Sequence, residues 1–129
     1  MNPADLFRHE KETLNLAPGA VLFRAGDAGH DMYVLIEGAL EVQVGDKVVE
    51  SAIPGAMVGE MALIDDSPRT ATVVATAPSK LVPINLRRFH FLVQKNPFFA
   101  SHVMKIMVGR IRQMNQRLNT MTAATPGQN

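Results

Sequence analysis

From residue 14 to residue 84 the apolar positions recur with a period of two, and beyond them with the three-and-four spacing of a helix. Leu14 and Leu16 flank Asn15, and Leu40, Val42 and Val44 alternate with Glu41 and Gln43. The pattern predicts strands at Leu14 to Leu16, Val21 to Phe23, Met32 to Ile36, Ala39 to Val44, Lys47 to Ile53, Ala56 to Val58, Val73 to Ala75 and Leu81 to Ile84. Turn residues separate them: Pro18 and Gly19, Gly26 and Gly29, Gly38, the hairpin pair Gly45 and Asp46, Pro54 and Gly55, and Ala77 to Ser79. Tyr33, inside the continuous apolar strand, reads as a core residue with a bonded hydroxyl. Ahead of the strands, Asp5 to Glu12 reads as a short polar helix with Leu6 and Phe7 as its apolar contacts. Behind them, Asn85 caps a helix from Leu86 to Gln94, and Asn96 caps a longer one that starts at Pro97. Its apolar face runs through Phe99, Val103, Ile106 or Met107, Ile111, Met114, Leu118 and Met121. The expected fold is mainly β with flanking helices: a jelly-roll-like β-barrel, or β-roll, with a short N-terminal helix and two C-terminal ones.

One stretch carries more chemistry than this frame requires. GEMALIDDSPRTATV, from Gly59 to Val73, opens a helical turn with a glycine, keeps Ala62 small so that main-chain amides stay approachable, and breaks at Asp65, Asp66 and Ser67. Pro68 then fixes the approach of Arg69 without adding an amide donor. Two readings are open. Glu60 and Arg69 can form a surface ion pair beside an acidic turn, an arrangement that carries little information. Alternatively, Arg69 and the amides near Ala62 and Ala71 hold a phosphate, while Glu60 accepts a hydrogen bond from a sugar hydroxyl.

Gly59, Glu60, Ala62, Leu63, Pro68, Arg69 and Ala71 stand at the spacing of the phosphate-binding cassette of cyclic nucleotide-binding domains. Upstream, GDAGHDMYVLIEGALEV from Gly26 to Val42 is similar to the same family's signature, and the resemblance covers about Leu14 to Asn115. This is the family of catabolite activator protein and of protein kinase A regulatory subunits. Val58 stands where an aromatic residue is frequent in the family, and the last helix has no Trp or Tyr to stack on a base. The resemblance implies a receptor domain and not an enzyme, with cAMP or cGMP as its ligand and no resident cofactor. It implies Glu60 and the Gly59 backbone at the ribose hydroxyl, Arg69 with the Ala62 and Ala71 amides at the cyclic phosphate, Arg110 or Met114 at the base, and Met61 among the ligand-binding residues. Thr70 follows the arginine, where a threonine is linked with cGMP in the family; one hydroxyl is a small selectivity device, and cAMP stays ahead. The C-terminal helix covers the base in the family and in some members pairs two subunits. That implies signalling through this helix to a protein partner or a second copy.

Composition narrows the alternatives. The absence of cysteine excludes disulfides, thiolate chemistry and Cys-based metal sites, and points to a reducing cytoplasm. All 12 acidic residues lie at or before Asp66, and 9 of the 13 basic ones follow it. A basic half with four phenylalanines but no Trp or Tyr favours an anionic ligand or acidic partner over nucleic acid. No helix-turn-helix follows Met121, no apolar run approaches a membrane span, and direct membrane insertion is not expected. A cupin-like metal-dependent enzyme would share the barrel, yet His9, His30, His90 and His102 are not spaced for one metal. A ligand-free interaction module is a further class. The length predicts one domain over residues 1–121 (helix 1–13, β-roll 14–85, helices 86–121), followed by a disordered tail, 122–129.

Overall fold

A computed structural model describes residues 2–123. Two four-stranded antiparallel sheets face each other. One has the order β1 (Leu14–Leu16), β8 (Ser79–Ile84), β3 (Met32–Glu37), β6 (Met57–Val58); the other has β2 (Val21–Phe23), β7 (Thr72–Ala75), β4 (Leu40–Val44), β5 (Lys47–Ala52). The helices are α1 (Pro3–Leu6), α2 (Glu60–Asp65), α3 (Leu86–Lys95) and α4 (Pro97–Ala123). Leu35, Val58 and Leu81 of the first sheet meet Leu40, Ala52, Val73 and Ala75 of the second in a closed core. In the second sheet these are the inward positions of alternating strands, whereas β3 and β8 also bury their neighbours Val34 and Val82, so a continuous apolar run accompanies the period-two pattern. The fold is the mainly β roll expected from it.

Beyond one-residue shifts at element ends, the bounds of α1 and β8 and the burial of Tyr33 differ from the expectation. The N-terminal helix spans Pro3–Leu6 and not Asp5 to Glu12, because the Asn2 side chain caps the Ala4 amide at 2.9 Å and Pro3 sits in the first turn. Phe7 follows it and is buried, while Leu6 is exposed. β8 begins at Ser79, two residues before the expected start. Its Oγ donates to the Ala77 carbonyl at 2.8 Å and lies 3.2 Å from the Ala39 amide, while its backbone pairs with Leu16. Tyr33, expected in the core, is half-buried.

The chain divides into two compact units, one ending at Leu92 and one beginning at Val93 within α3. Within the first unit the segment after α1 is clasped to the start of α3: Arg88 reaches Glu10 at 2.5 Å and lies 5.6 Å over the Phe7 ring. In the second unit α4 has 27 residues, about 40 Å of helix that closes its backbone hydrogen bonds within itself. Phe99 is buried, and every residue from Ile111 to Met121 is exposed. The helix runs past Met121 to Ala123; the remainder of the expected tail lies outside the described residues. Among the described residues no helix is long and apolar enough to cross a membrane.

Candidate functional site

The site is built where β6 turns into α2. Gly59 caps α2 in the left-handed region, φ 81°, which L side chains rarely enter. A Cβ there would also come within 2.6 Å of an Arg69 guanidinium nitrogen and 3.1 Å of the Asp31 carbonyl oxygen. The glycine is therefore required twice, by conformation and by space. α2 ends at Asp66, also left-handed, whose amide donates to the Ala62 carbonyl at 3.2 Å. His30 Nδ1 lies 2.6 Å from the Asp66 carboxylate and ties the preceding glycine turn to this helix end.

Arg69 reaches the site because its backbone is locked on both sides. Its amide donates to the Asp27 carbonyl at 2.9 Å and its carbonyl accepts from the Gly26 amide at 2.8 Å. The side chain is only 7% exposed. One terminal nitrogen donates to the Gly59 carbonyl at 3.1 Å and the other to the Asp31 carbonyl at 2.8 Å. The guanidinium lies 4.2 Å from the centroid of the Phe23 ring and 5.9 Å from that of Tyr33. Its Nε is buried without a hydrogen-bond acceptor, and no carboxylate lies within ion-pair distance of Arg69 among the described residues. The Glu60 to Arg69 surface pair of the sequence reading is thus absent. Glu60, at the first position of α2, is half-buried.

Ala62 is buried on α2, Ala71 is half-buried ahead of β7, and Met61 and Thr70 are exposed, with the Thr70 hydroxyl 4.0 Å from the Met61 sulfur. Gly59, Glu60, Met61, Ala62, Arg69, Thr70 and Ala71 all lie in the first unit. Arg110 and Met114, assigned to the base by the resemblance, lie on α4 in the second. Phe23 and Gly29 entered the sequence reading only as a strand residue and a turn residue. A Cβ on Gly29 would come within 2.7 Å of both Nε and a terminal nitrogen of Arg69. Burial pushes the Tyr33 phenol up, Asp31's charge adds to that, and Arg69 opposes it. Among the described residues no group of three or more His, Asp or Glu side chains could hold a metal ion.

A buried guanidinium with one flat face covered and an Nε without an acceptor has donors to offer an anion. Comparison with known proteins agrees with this class. Residues 13–96 match the model of the cyclic nucleotide-binding domain, and the chain belongs to that family. It is 38% identical over 82 residues to a cAMP-dependent protein kinase regulatory subunit of Hypocrea atroviridis, an alignment covering 64% of this chain and 18% of the relative. It is 36% identical over 92 residues to a cyclic nucleotide-gated potassium channel of Mesorhizobium japonicum, covering 71% and 25%. The chain thus spans a quarter or less of these relatives. Among solved structures, the catabolite activator protein of Thermus thermophilus has the same fold, with a TM-score of 0.75 at 22% identity, covering 86% of this chain and 55% of that one. A structure from a cyclic-GMP-dependent signalling pathway of bacterial phytopathogenesis gives 0.67 at 25% identity, covering 78% and 83%.

Proposed function

We propose that the chain binds a cyclic nucleotide as a regulatory receptor domain, with Arg69 as the counter-charge of the cyclic phosphate. The observation that carries this reading is the buried Arg69 guanidinium, which has no carboxylate partner among the described residues and a free Nε–H. Burying a cation costs several kcal/mol unless an anion compensates it, and a cyclic phosphate supplies one charge and acceptors for the guanidinium fork. The Ala62 and Ala71 amides complete the phosphate cradle. Glu60, whose charge would repel a phosphate, accepts from the ribose hydroxyl with the Gly59 backbone beside it. Met61 and Thr70 line the same end, and Arg110 or Met114 are the base contacts by analogy with the family.

cAMP is the favoured ligand and cGMP the second. Thr70 is the one hydroxyl offered to a guanine amino group, and relatives of both kinds are known: kinase regulatory subunits named for cAMP and a structure from a cGMP pathway. Calorimetry with both nucleotides tests this. Binding of cAMP at about micromolar strength, near 8 kcal/mol, is expected, and a tenfold preference for cGMP that Thr70→Ala abolishes would reverse the order.

Occupancy is reported through α4, in the cytoplasm, to a protein partner. Met104, Met107, Ile111, Met114, Leu118 and Met121 repeat in steps of three and four, and all but half-buried Met107 are exposed. The spacing is that of a coiled-coil seam as much as of a docking face, over a little more than two heptads, and a second copy of the chain is one partner that fits it. Sedimentation that shows only monomer at high micromolar concentration, with and without nucleotide, would remove the pairing from the proposal.

A further inference from the structure

A guanidinium carries five N–H donors in one plane, and its value to an anion depends on where that plane points. In Arg69 two of them are fixed by the Gly59 and Asp31 carbonyls. Two such points leave one freedom, a swing of the plane about the line joining them. The Phe23 ring, 4.2 Å from the guanidinium carbon, covers one face and removes that swing. Gly29 lies against the edge formed by Nε and a terminal nitrogen, since a Cβ on it would come within 2.7 Å of both. Its φ is outside the left-handed region, so backbone conformation does not demand glycine there. Of the three guanidinium nitrogens, the Nε on that edge is the one without an acceptor.

Nothing in β2 itself asks for an aromatic ring at its last position, where Val21 and Leu22 are aliphatic and would serve the strand equally well. We propose that Phe23 is a positioning residue: it holds the guanidinium plane of Arg69 so that the Nε–H edge stays turned toward the anion. The role toward a ligand rests on the cyclic nucleotide reading; the hold on Arg69 does not.

The test uses the full chain and two readouts. In the ligand-free protein, the Arg69 Nε–H should be rigid by 15N relaxation; Phe23→Leu should lower its order parameter and Phe23→Tyr should not. Affinity for cAMP by calorimetry should fall about threefold to thirtyfold in Phe23→Leu, the range of a cation–π contact between exposed and desolvated settings. Phe23→Tyr should stay within twofold of the parent. Phe23→Met replaces Phe23→Leu if the latter does not fold. An unchanged order parameter in the aliphatic variant overturns the hold on Arg69. A lowered order parameter with affinity unchanged within twofold overturns the role in binding. A parent whose Arg69 Nε–H loses rigidity in Phe23→Leu but that binds neither cAMP nor cGMP overturns the ligand reading, and the hold on Arg69 stands.

Discussion

Replacing Arg69 by alanine should separate binding from folding. In the ligand-free chain the substitution removes two hydrogen bonds from a charged donor, each worth about 1.5 to 3 kcal/mol. It also removes a cation–π contact of about 0.5 to 2 kcal/mol. Against these losses stands the relief of a buried charge, whose desolvation costs several kcal/mol. Water entering the vacated space can bond the Gly59 and Asp31 carbonyls, so the terms largely cancel and the stability of the free protein should change by no more than about 2 kcal/mol. Binding has no such compensation. A buried phosphate loses its one side-chain counter-charge, which costs about 2 to 4 kcal/mol, or roughly thirtyfold to nearly a thousandfold in affinity. Calorimetry with cAMP and urea denaturation of the same samples provide both numbers. Binding within threefold of the parent refutes the assignment of Arg69, and loss of binding accompanied by an unfolded chain refutes the balance of terms.

Other substitutions probe single contacts. Gly59→Ala forces a Cβ into a left-handed site 2.6 Å from Arg69 and should destabilise the fold by about 1 to 3 kcal/mol while weakening nucleotide binding; a fully stable variant would show that the turn relaxes freely. Glu60→Ala should cost about 1 to 2 kcal/mol in cAMP binding, and equal binding of the 2′-deoxy analogue to the parent would remove the ribose role. Because the folded Tyr33 phenol titrates above its ordinary value of 10.0, stability is fully present below that pH and is lost as pH rises through the folded value. Tyr33→Phe should flatten this alkaline limb in thermal melts, and an unaltered limb would trace it to another group. Arg88→Ala unclasps Glu10 and Phe7 from α3 and should lower stability by about 1 kcal/mol, or roughly 3 to 5 °C in Tm; an unchanged melt would make the clasp incidental.

The strands are legible because the second sheet buries one face, which writes a period of two into β4 and β7, because β3 is a continuous apolar run, and because glycine and proline mark the turns between them. Ser79 escaped because serine after proline resembles a turn, whereas its hydroxyl closes the local bonds that let the strand begin there. α1 escaped because its signal was a cap, Asn2 followed by Pro3, and not an apolar stripe. The division at α3 left no mark in composition. At the site, Gly59 and Arg69 could be singled out from local spacing alone. Their surroundings could not: Phe23, Gly29 and Asp31 reach Arg69 only after β2 pairs with β7 and the glycine turn folds back over it. The pairing of Arg69 with backbone carbonyls in place of Glu60 is likewise a tertiary outcome. Local charge counting favours the carboxylate, whereas burial selects fixed carbonyls and an aromatic face.

The central claim, that Arg69 receives the phosphate of a cyclic nucleotide, is tested most directly by a crystal structure of the chain grown with cAMP. The account predicts a phosphate oxygen within hydrogen-bond distance of Arg69 Nε, the guanidinium still stacked on Phe23, and the ribose 2′-hydroxyl on Glu60. Nucleotide density elsewhere, or a bound phosphate with Arg69 Nε still unpaired, would contradict it.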